Sequence, residues 1–338
     1  GRPTGSRVSE MSLKPCVAVL SGLLGKDVAF VDDCTGEAVE IAASGLNDGD
    51  VLLLENLRYY KEETDNDSGF AAKLAKLGDM YVNDAFGTAH RAHASTEGVT
   101  HFFKQCAAGY LMVKELDYLG KVMEDPARPF VAILGGAKIS GKIDVITNLL
   151  PKVDKIIIGG GMAYTFFKAQ GFEIGNSLLE ADKVAYAKEI LAQGSDKLVF
   201  PVDCMITDFF DFDTRKIGTL KEVSADAIPA GWQSLDIGSR SIETFRAVLE
   251  NAKTVIWNGP MGVFEIDETA RGTYAVADLL ARVTVKGATT VIGGGDSASA
   301  VNEAGVADKV SHVSTGGGAS LEFIEGKTLP GVAALTDK

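Results

Sequence analysis

Cysteine is scarce in this sequence, and its four copies are scattered along 338 residues at Cys16, Cys34, Cys106 and Cys204. No C-x-x-C pair occurs, and none of the four histidines stands at the spacing of a zinc ligand. A secreted disulfide scaffold and a structural zinc site are therefore both disfavoured. The pattern favours unpaired thiols in a reducing compartment.

Positive charge is also in short supply. The chain has 33 Lys plus Arg against 46 Asp plus Glu, a formal net charge of −13. A surface for nucleic acid needs a broad basic field, so we predict that nucleic acid is not a partner. Any anionic small ligand would have to be held by local groups, because the overall field of the protein repels it.

Long apolar runs are missing, since a membrane-spanning helix takes about 18 uninterrupted apolar residues. We therefore expect no membrane segment. The chain opens with Gly1-Arg2-Pro3, without an initiator Met and without the apolar stretch of a signal peptide. These features predict a fragment or a processed product.

Short apolar runs alternate with longer amphipathic stretches along the chain. Most runs are apolar or β-branched throughout, which is typical of strands buried on both faces of a parallel sheet. The alternation predicts an α/β fold with right-handed crossovers. The predicted strands are 28–31, 51–54, 80–82, 130–134, 155–158, 198–200, 254–257, 289–292 and 311–313. The predicted helices are 37–44, 69–76, 111–122, 143–150, 180–192, 242–251 and 270–281.

The length suggests about two domains at roughly 150 residues each. A helical pattern over 114–122 is followed by a charged segment that contains Pro126 and Pro129. Proline lacks a backbone N–H and restricts the residue before it, so the helix should end there. We predict a smaller unit over 1–108, a hinge over 109–128 and a complete α/β unit from 129.

Glycine is abundant, with 38 copies against an average share of about 7%. In an open parallel sheet the carboxyl ends of the strands share the edge where ligands bind. Glycine turns that open helices expose N–H groups there, and the helix dipole favours an anion. A single glycine turn often serves only to connect a strand to a helix and binds no ligand, but several such turns at one edge of the sheet favour a nucleotide site. The clusters that follow predicted strands are 135–136, 159–161, 259–262, 293–295 and 316–318.

Two lysines sharpen this hypothesis. The segment 136–143 nearly matches the phosphate loop G-x-x-x-x-G-K-[ST], but Ile143 has no hydroxyl to hold Mg²⁺, so an unrelated P-loop hydrolase is disfavoured. Lys138 and Lys142 stand four residues apart, on one face if the turn is helical. Adjacent cations are unfavourable unless a polyanion lies between them. The alternative is two solvated surface lysines.

Two acids lie near the glycine clusters. Asp296 follows three glycines, and a single carboxylate suits an Mg²⁺ ion held mainly by nucleotide oxygens and water. Asp296 could instead simply cap a helix. Glu265 could accept hydrogen bonds from ribose hydroxyls, and its alternative is ordinary surface charge.

The first third of the chain carries arginines at strand ends. Arg58 and Arg91 each follow a predicted strand, and Arg2 stands at the start. Arginine at such positions suits bidentate capture of a phosphate or a carboxylate. Arg58 could instead pair with Glu55 or Glu62.

At this point the residues resemble phosphoglycerate kinases, in the family's order and along essentially the whole chain. The segments that carry the resemblance are Gly1-Arg2-Pro3, Glu55–Tyr59, Asn83–His93, Leu134–Lys138, Gly159–Phe166, Trp257–Glu265, Gly293–Ser297 and His312–Ser320.

The resemblance implies two Rossmann-like parallel-sheet domains joined by a hinge helix. It implies a 3-phosphoglycerate-binding domain over 1–108, a hinge helix and linker over 109–128, and a nucleotide-binding domain over 129–319. The tail, 320–338, is expected to pack on the first domain. Family members carry their opening strands ahead of Gly-Arg-Pro, so the first domain is expected to be partial and to lack them.

The resemblance also implies the site residues. Those expected to bind the glycerate ligand are Gly1, Arg2, Arg58, His90 and Arg91. Those expected to bind the nucleotide are Gly136, Ala137, Lys138, Lys142, Gly160, Gly161, Asn258, Pro260, Glu265, Gly294, Gly295, Asp296 and Ser297. Those expected to act on the transferring group are Arg91, Lys138, Lys142, Gly317 and Gly318. The residue expected to hold Mg²⁺ is Asp296.

The implied activity is reversible phosphoryl transfer between 1,3-bisphosphoglycerate with ADP and 3-phosphoglycerate with ATP, in glycolysis or carbon fixation. Mg²⁺ would arrive with the nucleotide, and the enzyme would be a cytoplasmic monomer, or alternatively a protein of the plastid stroma. A carboxylate acceptor is already ionised at neutral pH, which agrees with the lack of a nucleophilic Ser or Cys constellation. The alternative function is a non-catalytic nucleotide-binding fragment.

Overall fold

A computed structural model describes residues 1–194 and 196–336. The chain divides into two compact units, one made of Gly1–Val113 with the segment from Thr328 onward, the other of Lys114–Lys327. The division falls inside a long helix, Tyr110–Glu124. None of the helices in the described ranges combines the length and the apolar character needed to span a bilayer.

The strands, in chain order, are β1 (Ala29–Val31), β2 (Leu52–Leu54), β3 (Tyr81–Asn83), β4 (Cys106–Ala108), β5 (Phe130–Leu134), β6 (Lys155–Ile158), β7 (Glu173–Ile174), β8 (Leu198–Val199), β9 (Asp203–Thr207), β10 (Phe210–Asp211), β11 (Lys216–Ile217), β12 (Leu220–Ser224), β13 (Ala227–Ile228), β14 (Gln233–Ile237), β15 (Thr254–Asn258), β16 (Thr289–Gly293) and β17 (His312–Val313).

The helices are α1 (Cys16–Leu24), α2 (Glu37–Ser44), α3 (Lys61–Thr64), α4 (Ser68–Ala75), α5 (Tyr110–Glu124), α6 (Ile143–Leu149), α7 (Ala163–Ala169), α8 (Val184–Gly194), α9 (Ser239–Leu249), α10 (Arg271–Val285), α11 (Gly295–Glu303), α12 (Gly318–Ile324) and α13 (Pro330–Ala333). The acidic segment around Glu62 contains the short helix α3.

The second unit is built on a six-stranded sheet in the order β17-β16-β15-β5-β6-β8, and every pairing is parallel. The two central strands, β5 and β15, are buried along their whole length because their sequences are apolar or β-branched nearly throughout. Their side chains join a core that includes Phe245 of α9 and Leu280 of α10. This sheet confirms the predicted α/β class.

The strand order places a topological switch between β5 and β15. From β5 the chain builds outward through β6 and β8, and it then returns to build outward on the other side through β16 and β17. In an open α/β sheet, ligands bind in the crevice beyond the carboxyl ends of the strands at such a switch. The turns that follow Leu134 and Asn258 therefore lie where a ligand is expected to bind.

An antiparallel sheet in the order β12-β9-β14 was not predicted. Its strand β12 has the sequence Leu-Lys-Glu-Val-Ser, which offers no continuous apolar run. Strand β14 is interrupted by a register shift between Ser234 and Asp236. These features hid the sheet from a search for buried parallel strands.

The first unit contains two small parallel pairs, β1 with β2 and β3 with β4. A buried cluster of Cys34, Phe70, Ala71 and Ala94 lies among them. The segment from Thr328 packs in the same unit. There the Thr336 hydroxyl accepts a hydrogen bond from the Cys106 N–H, and the Thr336 N–H donates to the Cys106 carbonyl, both at 2.9 Å.

Candidate functional site

The turns after β5 and β15 are fastened to each other by backbone hydrogen bonds. Gly135 N–H donates to the carbonyl of Asn258 at 3.0 Å, and Gly136 N–H donates to the carbonyl of Pro260 at 2.9 Å. A Cβ on Gly135 would overlap the Pro260 carbonyl oxygen and come within 2.6 Å of the Gly259 oxygen. Glycine is therefore required here by close packing of two backbones.

A cavity of about 360 Å³ lies at this switch; we call it the glycine cavity. Turns from four of the five glycine clusters meet in it, so the predicted convergence holds for those four. Its lining residues are Gly135, Gly136, Ala137, Lys138, Gly141, Lys142, Asn258, Gly259, Gly294, Gly295, Asp296, Ser297, Gly317, Gly318 and Leu321.

Lys138 and Lys142 both line the glycine cavity, but the segment between them is not a regular α-helix, the condition under which they would share one helical face. Ser140–Lys142 forms a 3-10 turn, and α6 begins only at Ile143. Lys138 is exposed, whereas Lys142 is half-buried and its Nζ donates to Asn258 Oδ1. Burial lowers the pKa of Lys142 to about 8, against the opposing effect of Asp296 and Glu325. A bound anion would stabilise the charged form of this amine.

Two helices begin at the rim of the glycine cavity. Gly294 has φ 87° ahead of α11, and Gly317 has φ 49° and ψ −104° ahead of α12, a conformation that favours glycine. Asp296 is exposed in the first turn of α11. The hydroxyl of Ser297 is buried and accepts the Gly259 N–H at 2.6 Å, so this side chain holds the β15 turn in place.

A second cavity of about 350 Å³ adjoins the first and shares Gly136, Ala137 and Asp296 with it; we call it the aromatic cavity. The predicted residues Gly160, Gly161, Pro260 and Glu265 line it. Its apolar wall was missed by the sequence analysis. The side chains that form this wall are Tyr164, Leu178, Phe210, Phe212, Leu235, Met261 and Val263.

A buried carboxyl group stands behind the aromatic cavity. Asp236 follows the lining residue Leu235, and its Oδ2 accepts the Gly272 N–H of α10 at 2.7 Å. Burial raises the pKa of Asp236 to about 7, although hydrogen bonds from Gly272 and Ile237 and the charge of Arg271 oppose the shift. The group fixes α10 to the β14 strand from below the site.

In the first unit, a cavity of about 590 Å³ is lined by four of the predicted glycerate ligands, Gly1, Arg2, Arg58 and Arg91; we call it the arginine cavity. Among the described residues, His93 lines it and His90 does not. The alternative pairing of Arg58 with Glu55 or Glu62 is absent from the ion pairs of residues 1–194 and 196–336.

Three acids, Glu55, Glu63 and Asp84, also line the arginine cavity, and each accepts hydrogen bonds from neighbouring groups. Glu55 accepts from the Ser12 hydroxyl at 2.5 Å and from the Leu13 amide at 2.8 Å. Burial and the charges of Arg58 and Arg91 lower the pKa of His93, whose Nδ1 lies 3.7 Å from Glu63 Oε1. The cavity therefore gathers three arginines and three carboxylates, and the arginines are the groups in it that could hold an anion.

Glu115, a buried residue of α5, fixes the turn that leads to Gly317. Its Oε1 accepts the amide and the hydroxyl of Thr315 at 2.7 and 2.8 Å, and its Oε2 lies 2.8 Å from His312 Nε2. Burial opposes ionisation, but these hydrogen bonds outweigh it and lower the pKa of Glu115. The ring of His312 also stacks on Tyr118, with the ring centroids 4.8 Å apart.

The fold and these cavities define a class of protein: an α/β protein with a glycine-lined crevice at the topological switch of a parallel sheet, the kind of crevice that suits a nucleotide. A family model described as phosphoglycerate kinase matches residues 1–327. The chain belongs to the phosphoglycerate kinase family.

Individual relatives agree with this assignment. The chain is 58% identical to phosphoglycerate kinase of Chloroherpeton thalassium, covering 100% of this chain and 85% of the relative. It is 58% identical to a chloroplastic phosphoglycerate kinase of Volvox carteri, covering 100% and 73%, and 57% identical to a cytosolic one of Triticum aestivum, covering 100% and 84%.

Solved structures show the same fold. Phosphoglycerate kinase from Coxiella burnetii superposes with a TM-score of 0.86 at 38% identity, covering 99% of this chain and 83% of that one. The enzyme from Pyrococcus horikoshii gives 0.84 at 34% identity, covering 98% and 84%. The predicted family, enzyme class and phosphoglycerate kinase function are confirmed. The comparisons lend no support to the alternative of a non-catalytic nucleotide-binding fragment.

Proposed function

We propose that the second unit binds ATP or ADP, that the first unit binds 3-phosphoglycerate or 1,3-bisphosphoglycerate, and that a phosphoryl group passes reversibly between them. The observation that carries this proposal is the glycine cavity, where four backbone turns and two lysines surround one space at the β5/β15 switch. Such an array provides N–H groups, helix dipoles and ammonium groups, which together suit a chain of phosphates.

The nucleotide is assigned across the two adjoining cavities. Its phosphates would occupy the glycine cavity beside Lys142 and Asn258, and its base would enter the aromatic cavity, whose wall is largely apolar. Glu265 lines the aromatic cavity and is the candidate partner of the ribose hydroxyls. The shared wall formed by Gly136 and Ala137 lets one ligand span both spaces.

The glycerate ligand is assigned to the arginine cavity. Arg2, Arg58 and Arg91 supply planar guanidinium groups that match a phosphate or a carboxylate. His93 joins this set on the evidence of its position. His90 lies three residues before His93 in the chain and stays a candidate neighbour of the ligand.

The transfer needs positioning and charge stabilisation more than proton transfer, because the acceptor carboxylate is already ionised. Lys138, Lys142 and Arg91 would stabilise charge on the transferring oxygens, and the Gly317–Gly318 turn would supply backbone N–H groups beside the phosphoryl path. Direct transfer requires the two ligands to meet, so we propose closure about the hinge 109–128.

The donor set fits Mg²⁺ carried by the nucleotide. Asp296 offers an exposed carboxylate at the wall shared by both nucleotide cavities. Within residues 1–194 and 196–336, no group of three or more His, Cys, Asp or Glu could hold a metal alone. One carboxylate with nucleotide oxygens and water is an ordinary Mg²⁺ environment, and the ion would neutralise phosphate charge.

We also propose that the enzyme is a monomer of the cytoplasm, with the plastid stroma as the alternative.

The proposal is tested by a coupled assay of ATP formation from 1,3-bisphosphoglycerate and MgADP, with calorimetry of each ligand. We expect turnover, and binding of both MgADP and 3-phosphoglycerate. Binding of MgADP without 3-phosphoglycerate binding or turnover would contradict the proposal. So would ATP hydrolysis that is independent of the glycerate ligand.

Phe212 offers a prediction with a matched control. Phe209 and Phe212 stand close together in the same segment and are both 54% exposed, but only Phe212 lines the aromatic cavity. We expect Phe212→Ala to raise the KM for MgADP about tenfold with kcat little changed, since a base–aromatic contact is worth about 1–3 kcal/mol. Phe209→Ala should leave both constants unchanged. Steady-state kinetics give the answer, and equal effects of the two variants would refute the assignment of the base.

Arg58 tests the glycerate assignment. Charged hydrogen bonds contribute about 1.5–3 kcal/mol, so Arg58→Ala should raise the KM for 3-phosphoglycerate roughly 10- to 100-fold and leave the KM for ATP unchanged. The matched control is Arg7→Ala, which removes an arginine of the same unit that pairs with Asp32 at 3.0 Å outside the cavity. An unchanged KM for 3-phosphoglycerate in Arg58→Ala would rule out this site.

The pKa of Lys142 predicts a pH dependence of nucleotide binding. The free protein holds this pKa near 8, and a bound phosphate should raise it, so binding takes up a proton above pH 8. The affinity for MgADP should therefore fall about fivefold between pH 8 and pH 9, and this fall should be absent in Lys142→Ala. Calorimetry in buffers of different ionisation heat measures the proton uptake directly. A wild-type affinity that is flat up to pH 9 would contradict this role.

A further inference from the structure

A third concave surface of the second unit lies between α9 and α10 and has a volume of about 400 Å³; we call it the α9/α10 groove. Four of the ten arginines in the chain line it, and none of the lysines that the structure describes does. These arginines are Arg240, Arg246, Arg271 and Arg282. None of the groove residues belongs to the glycine cavity or to the aromatic cavity.

The lining residues lie on the facing sides of two helices, as their spacing in the sequence shows. On α10, Arg271, Ala275, Asp278 and Arg282 recur at intervals of four, three and four residues, which places them on one face of the helix. On α9, positions 239, 242, 243 and 246 are joined by spacings of three or four residues and share one face, and Arg240 lines the groove next to them. The arginines are therefore gathered by helical geometry, with two carboxylates, Glu243 and Asp278, among them.

Much of the hydrogen-bonding capacity of these arginines is unused. Arg240 Nε lies 3.3 Å from the buried Asp203, and Arg246 Nη1 lies 3.1 Å from Glu243. The Nε of Arg246 is buried and has no hydrogen-bond partner in the described part of the chain. Within the same ranges, neither Arg271 nor Arg282 makes a side-chain hydrogen bond or an ion pair.

This concentration of cations is unusual for a chain with a net charge of −13. Like charges close together are mutually unfavourable, and a bound anion removes that cost. Guanidinium forks bind phosphate bidentately, which a lysine cannot do. The groove is also concave and of a size suited to a small molecule.

We propose that the α9/α10 groove is a separate binding site for a small phosphorylated anion that carries at least two negative charges. Arg271 and Arg282 supply the principal contacts, and Arg246 assists from the facing helix. The site is distinct from the cavities assigned to the reaction and does not depend on those assignments. Its probe is inorganic pyrophosphate, the simplest compact anion of this class.

The first test measures the reaction of phenylglyoxal with each arginine of the full chain, resolved by peptide mass analysis, with and without pyrophosphate. We expect saturating pyrophosphate to slow modification of Arg271 and Arg282 at least fivefold. Exposed Arg215, which lies outside the groove, should react at an unchanged rate. Unchanged rates at Arg271 and Arg282 would overturn the proposal. Arg58 and Arg91 report separately on the glycerate site, so the two assignments can fail independently.

The second test counts bound pyrophosphate by equilibrium dialysis. The double variant Arg271→Ala/Arg282→Ala should bind one pyrophosphate fewer per chain than the wild type. The control Lys253→Ala/Lys286→Ala removes the same charge from exposed positions outside the groove and should bind the wild-type number. Equal stoichiometry in all three proteins would overturn the proposal.

Discussion

Replacing Lys142 by alanine should lower kcat by about 10²- to 10³-fold, which is the typical loss when one preorganised donor to developing charge is removed. The amine is half-buried in the glycine cavity, and Asn258 Oδ1 accepts its hydrogen bond. Burial lowers the pKa of this amine to about 8, because the charged form is poorly solvated. A bound phosphate would stabilise the charged form in a place where water does not. Steady-state kinetics with saturating MgADP and 1,3-bisphosphoglycerate measure the effect.

The control is Lys253→Ala, which removes an exposed lysine of the same unit outside the cavities. It should keep wild-type kinetics. Thermal unfolding of Lys142→Ala should show a folded protein, because removing a buried cation relieves a desolvation cost. A folded Lys142→Ala enzyme with kcat within a factor of three of the wild type would exclude this lysine from the transfer.

Replacing Gly135 by alanine should lower the free energy of unfolding of the second unit by about 3 kcal/mol, within the range of severe backbone effects. A Cβ at Gly135 would collide with the carbonyl oxygens of Pro260 and Gly259 and lie 2.7 Å from Met261 Cε. The β15 turn must then move, and the two hydrogen bonds that fasten it to the β5 turn weaken. We expect the KM for MgADP to rise at least tenfold, because Asn258 and Pro260 move with that turn.

Urea unfolding followed by tryptophan fluorescence reports on this unit, since Trp232 and Trp257 both belong to it. Gly120→Ala is the matched control: it lies inside α5, and a Cβ there meets nothing within 4 Å. Alanine at that position should stabilise the protein by up to about 1 kcal/mol. If the two alanine variants unfold at the same urea concentration, the close packing of the turns is not a constraint.

The positions of the strands at the centre of the sheet could be predicted, because uninterrupted runs of apolar and β-branched residues are typical of strands buried on both faces. The predicted bounds of β5 and β6 agree with the structure, and so do those of α2. Helix α9 starts three residues earlier than predicted, at Ser239, because its first turn is polar and is held by Asp203, which accepts the Ser241 amide at 2.8 Å. Such long-range caps leave no local signal in the sequence.

The glycine cavity, to which we assign the phosphates, was visible in the sequence, whereas the aromatic cavity, to which we assign the base, was not. Glycines at strand ends mark the glycine cavity because the backbone itself forms its wall. The aromatic cavity is assembled from Tyr164 of α7, the segment 210–212 and the turn after β15, which meet only in three dimensions. The aromatic run Phe209-Phe210 in a polar segment was the one local sign of an unusual surface. His93 was passed over for His90 because sequence spacing does not show which ring faces the cavity.

A crystal structure of the chain with MgADP tests the central claim most directly. Our account places phosphate oxygens about 3 Å from Lys142 Nζ and from backbone N–H groups of the turns at 294–297 or 317–318, with the base against Phe210 and Phe212. Phosphates bound away from the β5/β15 edge, with Lys142 directed elsewhere, would contradict it.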